Sequence, residues 1–178
     1  MEPDVDPLVR EVESATLDGR AADEAPAARA ELVELVRDWR REAGSDADAP
    51  AVIAMLRREL LEKLDGKPPA ARRDVLRVES LERRVRALSV KSYALGQQVL
   101  DGKIPDEPAR VEGQALMDAA DALAPRLAAV VDEAAREVLR RDLNDVRLEA
   151  LYAVDRKIMS LRLNRYAGDR RGAPNVTP

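Results

Sequence analysis

Histidine, cysteine and phenylalanine are all missing from the 178-residue chain, and aromatic residues make up only 2% of it. Without His or Cys, no Ser-His-Asp or Cys-His constellation can form, and a thiolate nucleophile, a disulfide or a Cys-based zinc or iron–sulfur site is excluded. The Glu-x-x-His pairs of ferritin-like di-metal bundles are excluded for the same reason. The eight glycines are scattered, so there is no Gly-rich phosphate loop. No uncharged apolar stretch approaches the ~20 residues that a membrane span needs. The amino terminus, Met-Glu-Pro-Asp-Val-Asp-Pro, is acidic and does not read as a secretory signal. The expectation is a cytoplasmic, non-catalytic protein with no cofactor.

What the chain does have is helix-forming material. Hydrophobic residues reach 46% and charged residues 36%, the texture of long helices or coiled coils. With so few rings, the core must be thin, built from Leu, Val and Ala between closely approaching helices. The net charge of −4 conceals segregation. Residues 1–48 carry six basic and fourteen acidic groups, residues 49–104 twelve and seven, residues 105–154 six and eleven, and residues 155–178 six and two. Acidic and basic segments alternate, as expected if the helices neutralise one another when they pack. The other reading leaves a basic face open to a polyanion.

Gly and Pro punctuate the chain. Gly19, Gly44, Gly66, Gly102 and Gly168 each follow an amphipathic run. Asp6-Pro7, Glu24-Ala25-Pro26, Asp48-Ala49-Pro50, Pro68-Pro69 and Asp106-Glu107-Pro108 open runs. Gly tolerates the left-handed cap after a helix, and Pro loses nothing in a first turn, where its N–H would be unpartnered anyway. Helices are predicted near 7–18, 26–43, 50–65, 69–101 and 108–167. The last is expected to break at Pro125 and, more weakly, at Asp142-Leu143-Asn144-Asp145. No stretch alternates in the manner of a strand. The predicted fold is all-α, an elongated helical bundle with a long antiparallel hairpin of coiled-coil-like helices, about 69–101 and 108–167. Residues 1–167 read as a single helical domain and residues 168–178 as a flexible basic tail.

The fourth run carries a heptad, with Val78, Val85, Ser92 and Val99 at one core position and Leu81, Leu88 and Leu95 at the other. Val at the first and Leu at the second suits two-stranded parallel coiled coils. These seven residues form the candidate interaction seam, either between copies or against a helix of the same chain. A second stripe runs Leu139, Leu143, Val146, Ala150, Val154, Ile158 and Leu161. Few large side chains are available to cover both stripes internally, so self-association is expected, most simply as a dimer. Around the seam, Ser89 to Gln98 breaks the charge-rich texture. Ser89, Ser92 and Gly96 share one face, where small residues admit another backbone, and the alternative is a polar pocket of Ser92, Tyr93 and Gln97.

Two alternatives use charge. Arg72, Arg73, Arg77, Arg83, Arg84, Arg86 and Lys91 make residues 72–91 the most basic element. Of these, Arg73, Arg77, Arg84 and Lys91 are the candidate contacts to nucleic acid, and Arg156, Lys157, Arg162, Arg165, Arg170 and Arg171 form a second basic cluster. If the stripe is structural instead, its arginines should pair with the acidic flank Glu31, Glu34, Asp38 and Glu42. The other alternative is an Mg²⁺-dependent nucleotide hydrolase. Glu31/Glu34 facing Asp142/Asp145 would be a loose analogue of the carboxylate pairs of all-helical nucleotide pyrophosphohydrolases. Asp118/Asp121 and Glu149 complete the helically spaced acids. Their arginine neighbours favour a solvated face, and no metal site is expected.

Overall fold

The computed structural model describes residues 7–17, 26–45 and 47–155. The protein is all-α: six helices and no strand occur among the described residues. They are α1 (Pro7–Leu17), α2 (Pro26–Ala43), α3 (Ala49–Leu64), α4 (Pro69–Leu100), α5 (Asp106–Ala128) and α6 (Glu133–Val154). The punctuation marks their ends well. Gly44, Gly66 and Gly102 all sit in the left-handed region, with φ of 68°, 66° and 66°. At Gly102 the cap has both Schellman bonds, Gly102 N to Val99 O at 3.2 Å and Lys103 N to Gln98 O at 2.9 Å. Gly19 and the segment 156–178, with the expected tail, the second basic cluster and the end of the Leu139–Leu161 stripe, lie outside the described residues.

The long last run differs from expectation. It is two helices, and the break falls at 129–132, beyond Pro125, which lies inside α5. A missing N–H frees only one carbonyl of the preceding turn, and α5 continues three residues past the proline. Nor does Asp142–Asp145 interrupt α6, which is continuous from Glu133 to Val154. Side chains of α4 and α6 hold the chain between α5 and α6. Asp74 of α4 accepts the N–H groups of Val131 and Asp132 at 2.8 and 2.9 Å. Arg77 donates to the Ala129 carbonyl at 2.5 Å, and Arg136 to that of Val130 at 3.2 Å. The Asp132 side chain then caps α6 by accepting the Ala135 N–H at 3.0 Å.

The chain divides into two compact units: Met1–Arg84 with Arg126–Leu139, and Val85–Pro125 with Arg140–Pro178. In the first, Val9 and Val12 of α1, Leu32, Leu35, Val36 and Trp39 of α2, Leu56, Leu60 and Leu64 of α3, and Leu76 of α4 form one buried cluster. Trp39 is fully buried at its centre. It supplies bulk that the rest of this Leu/Val core lacks, and the Arg83 guanidinium lies 5.9 Å from its ring centroid.

In the second unit the core is Leu95, Ala109, Leu116, Ala150 and Ala153, with Leu88, Val99, Ile104 and Met117 against it. Three helical segments meet there, and alanine at the contacts lets them approach closely. One close approach is at Gly113 of α5. A Cβ there would stand 2.9 Å from the Ala150 carbonyl oxygen and 2.9 Å from a Val154 methyl. Gly96, expected to admit a backbone, does not do so: its nearest neighbour would be a Glu149 carboxylate oxygen at 3.6 Å. The two glycines should therefore respond oppositely to alanine. Gly96→Ala should gain about 0.5–1 kcal/mol, the usual helix-interior benefit. Gly113→Ala should lose about 1–3 kcal/mol, because α6 backbone must shift to make room. Urea unfolding of the two variants measures both signs.

Candidate functional site

Candidate residues concentrate on α4, so the question is what each face of that helix touches. Through Arg84 its basic stripe meets the acidic flank of α2. Arg77 Nε lies 3.1 Å from Glu31 Oε1, and Arg84 Nη2 lies 2.7 Å from Glu34 Oε2, with its Nε 3.5 Å from Asp38 Oδ2. Arg83 pairs with Glu42 and, at 3.1 Å, with Glu79, which also takes Lys63. Arg126 adds a second cation to Glu34 at 3.0 Å. All four acids of the flank and three arginines of the stripe are thus engaged with each other inside the first unit. Of the four candidate polyanion contacts, Arg77 and Arg84 are committed in this way. Arg73 and Lys91 are exposed and unpaired among the described residues. Arg86, on the same helix, is exposed without an ion pair among the described residues as well.

Burial raises the pKa of the Glu34 carboxyl, but the hydrogen bonds and charges of Arg84 and Arg126 outweigh it and hold the group below the ordinary carboxylate value. A depressed pKa contributes stability that is present above the ordinary Glu value of about 4.3 and is lost as pH falls through the lower folded value. Glu34→Gln should accordingly lower the urea midpoint at pH 7, and the gap to wild type should shrink steadily below pH 4. A gap that persists unchanged at pH 3 would mean that the carboxylate charge is not what matters.

Most of the carboxylates proposed for a metal have partners within their own unit. Glu31 and Glu34 belong to the first unit and Asp142 and Asp145 to the second. Asp121 pairs with Arg147 at 2.7 Å, Asp118 accepts a hydrogen bond from Gln114 at 2.9 Å, and Asp142 has Arg141 at 3.7 Å. Among the described residues no three acids are grouped to hold a cation. A shallow groove in the first unit is lined by Glu62, Lys63, Asp65, Lys67, Asp74 and Glu79. Lys63, Asp74 and Glu79 already have partners there.

The interaction seam is covered within the chain. Leu81, Val85, Ser92 and Leu95 are buried, each at 3% exposure or less, and Val78, Leu88 and Val99 are half-buried. Leu95 clusters with Ala109 and Leu116 of α5 and Ala150 and Ala153 of α6, with Leu88 and Val99 against that cluster, so this end of the heptad faces helices of its own chain. In the second stripe, Leu139, Leu143, Val146 and Ala150 are likewise buried. Ser92 satisfies its hydroxyl on the Ser89 carbonyl at 3.0 Å. Tyr93 and Gln97 are exposed while Ser92 is buried, so these three do not converge on a polar pocket.

The sequence reading missed what lies on the other side of α4. Val90 and Tyr93 are 65% and 61% exposed, and Leu100 is 42% exposed. The signal was present in the loss of charge from Ser89 to Gln98, but a heptad read along one stripe assigns that loss to the core alone. No helix among the described residues is long and apolar enough to cross a membrane, so this face is not part of a spanning segment. Comparison of the chain with protein families, with curated proteins and with solved structures finds no match.

Proposed function

We propose that the protein is a non-catalytic helical oligomerisation module whose contact surface is the outward face of α4 between Ala87 and Leu100. One observation carries this reading: large apolar side chains stand exposed together on a helix otherwise committed to ion pairs and cores. Scattered single exposed apolar residues are ordinary, but several on one helical face mark an interaction surface. Light scattering coupled to size exclusion at about 10–500 μM is the test. Wild type should shift toward a dimer with concentration, and Tyr93→Glu should stay monomeric with an unchanged helical circular dichroism spectrum. A wild type that remains monomeric throughout that range overturns the reading.

Nucleic-acid association through residues 72–91 is left with less to work with, since Arg77, Arg83 and Arg84 are neutralised by α2. A random-sequence duplex should not be retained at about 150 mM salt. Retention abolished by changing Arg73 and Lys91 to Glu would restore the polyanion reading.

A further inference from the structure

The outward face of α4 has a charge pattern that specifies its partner. From Ala87 to Leu100 only Lys91 is charged, in a chain that is 36% charged. Ala87, Val90, Tyr93, Ala94, Gln97 and Leu100 are all exposed. At about 100° per residue they share an arc of roughly 140° with two charged residues, Arg86 and Asp101, one at each end. Asp101 remains in helical register because its N–H donates to the Gln97 carbonyl at 2.9 Å. Arg86 is exposed and has no ion pair among the described residues. Among the described residues Asp101 pairs only with the exposed Lys103 ammonium, two residues on, at 2.7 Å, a type of contact that holds weakly in water.

Resting on the oligomerisation reading above, we propose that this face pairs antiparallel with the same face of a second copy, about a two-fold axis lying between Tyr93 and Ala94. That register sets Arg86 against Asp101, Ala87 against Leu100, Val90 against Gln97, and Tyr93 against Ala94. Every large side chain then meets a small or unbranched one, and each end carries an opposite-charge pair. An isologous contact repeats each pairing on both sides of the axis, so two Arg86–Asp101 pairs bracket the apolar centre. The parallel alternative would stack Arg86 on Arg86, Tyr93 on Tyr93 and Asp101 on Asp101. It is disfavoured by charge and by bulk. The contact spans about 24 Å of helix and is smaller than a standard interface, so dissociation in the micromolar range is expected.

The absence of native cysteine makes a single introduced thiol an unambiguous reporter. Under mild oxidation at about 200 μM, Ala94→Cys should give a disulfide-linked dimer. Leu100→Cys should not, because the two copies of residue 100 would be about 20 Å apart along the antiparallel axis. Sedimentation equilibrium gives the second arm. Arg86→Asp and Asp101→Arg should each raise the dissociation constant about tenfold or more, and the double swap should bring it back to within about threefold of wild type. Cross-linking at residue 100 or an unrescued double swap, in a protein that still dimerises, overturns the register and leaves the oligomerisation reading standing. A monomer at all concentrations overturns both.

Discussion

The ion-pair ladder between α2 and α4 is the constraint around which the first unit is built. Helices held by Leu and Val, with Trp39 the largest buried ring, lie close together, and their charged flanks are drawn partly out of water. A charged group drawn partly out of water loses solvation that a partner of opposite sign restores, whereas a fully exposed one loses little. Glu31, Glu34 and Asp38 therefore face Arg77 and Arg84, and the more exposed Glu42 adds a pair with Arg83. The charge segregation between residues 1–48 and 49–104 follows from this geometry. The part of the basic stripe formed by Arg77, Arg83 and Arg84 is, in the fold, one side of a neutral contact.

Local chemistry is legible at the helix ends and distant chemistry is not. Gly44, Gly66 and Gly102 mark three ends because left-handed caps and proline starts are properties of a few consecutive residues. The end of α5 could not be read in that way. Pro125 is a strong local signal, but neither its lost donor nor the crowding of its ring against the preceding turn ends α5 there. The break at 129–132 is held by Asp74 and Arg77, more than 50 residues earlier in the chain. Gly96 and Gly113 make the same point at the level of packing. Gly96 drew notice because it sits in an uncharged stretch, yet the close backbone approach is at Gly113, in an unremarkable run, and only the position of Ala150 reveals it.

The candidate seam shows how one periodicity can hide another. Val85, Leu88, Ser92, Leu95 and Val99 keep a heptad that faces inward, and that heptad accounts for the apolar residues it contains. Val90, Tyr93 and Leu100 fall between its positions and face outward. A pattern that explains half of an uncharged stretch invites the conclusion that it explains all of it. Burial separates the two sides. The inner one is covered by α5 and α6, while the outer one is left exposed among the described residues.

The carboxylate of Asp74 also bears on the order in which the protein can assemble. The first turn of α6 follows two backbone N–H groups, those of Val131 and Asp132, that are satisfied by a residue 57 and 58 positions away in sequence. Closing so long a loop costs entropy before any contact offsets it. The turn at 129–132 therefore gains its bonds to Asp74 and Arg77 only after the amino-terminal end of α4 is itself in place. On a ribosome, where the chain emerges from the amino terminus, that order comes naturally: α4 is already exposed when residues 129–132 appear.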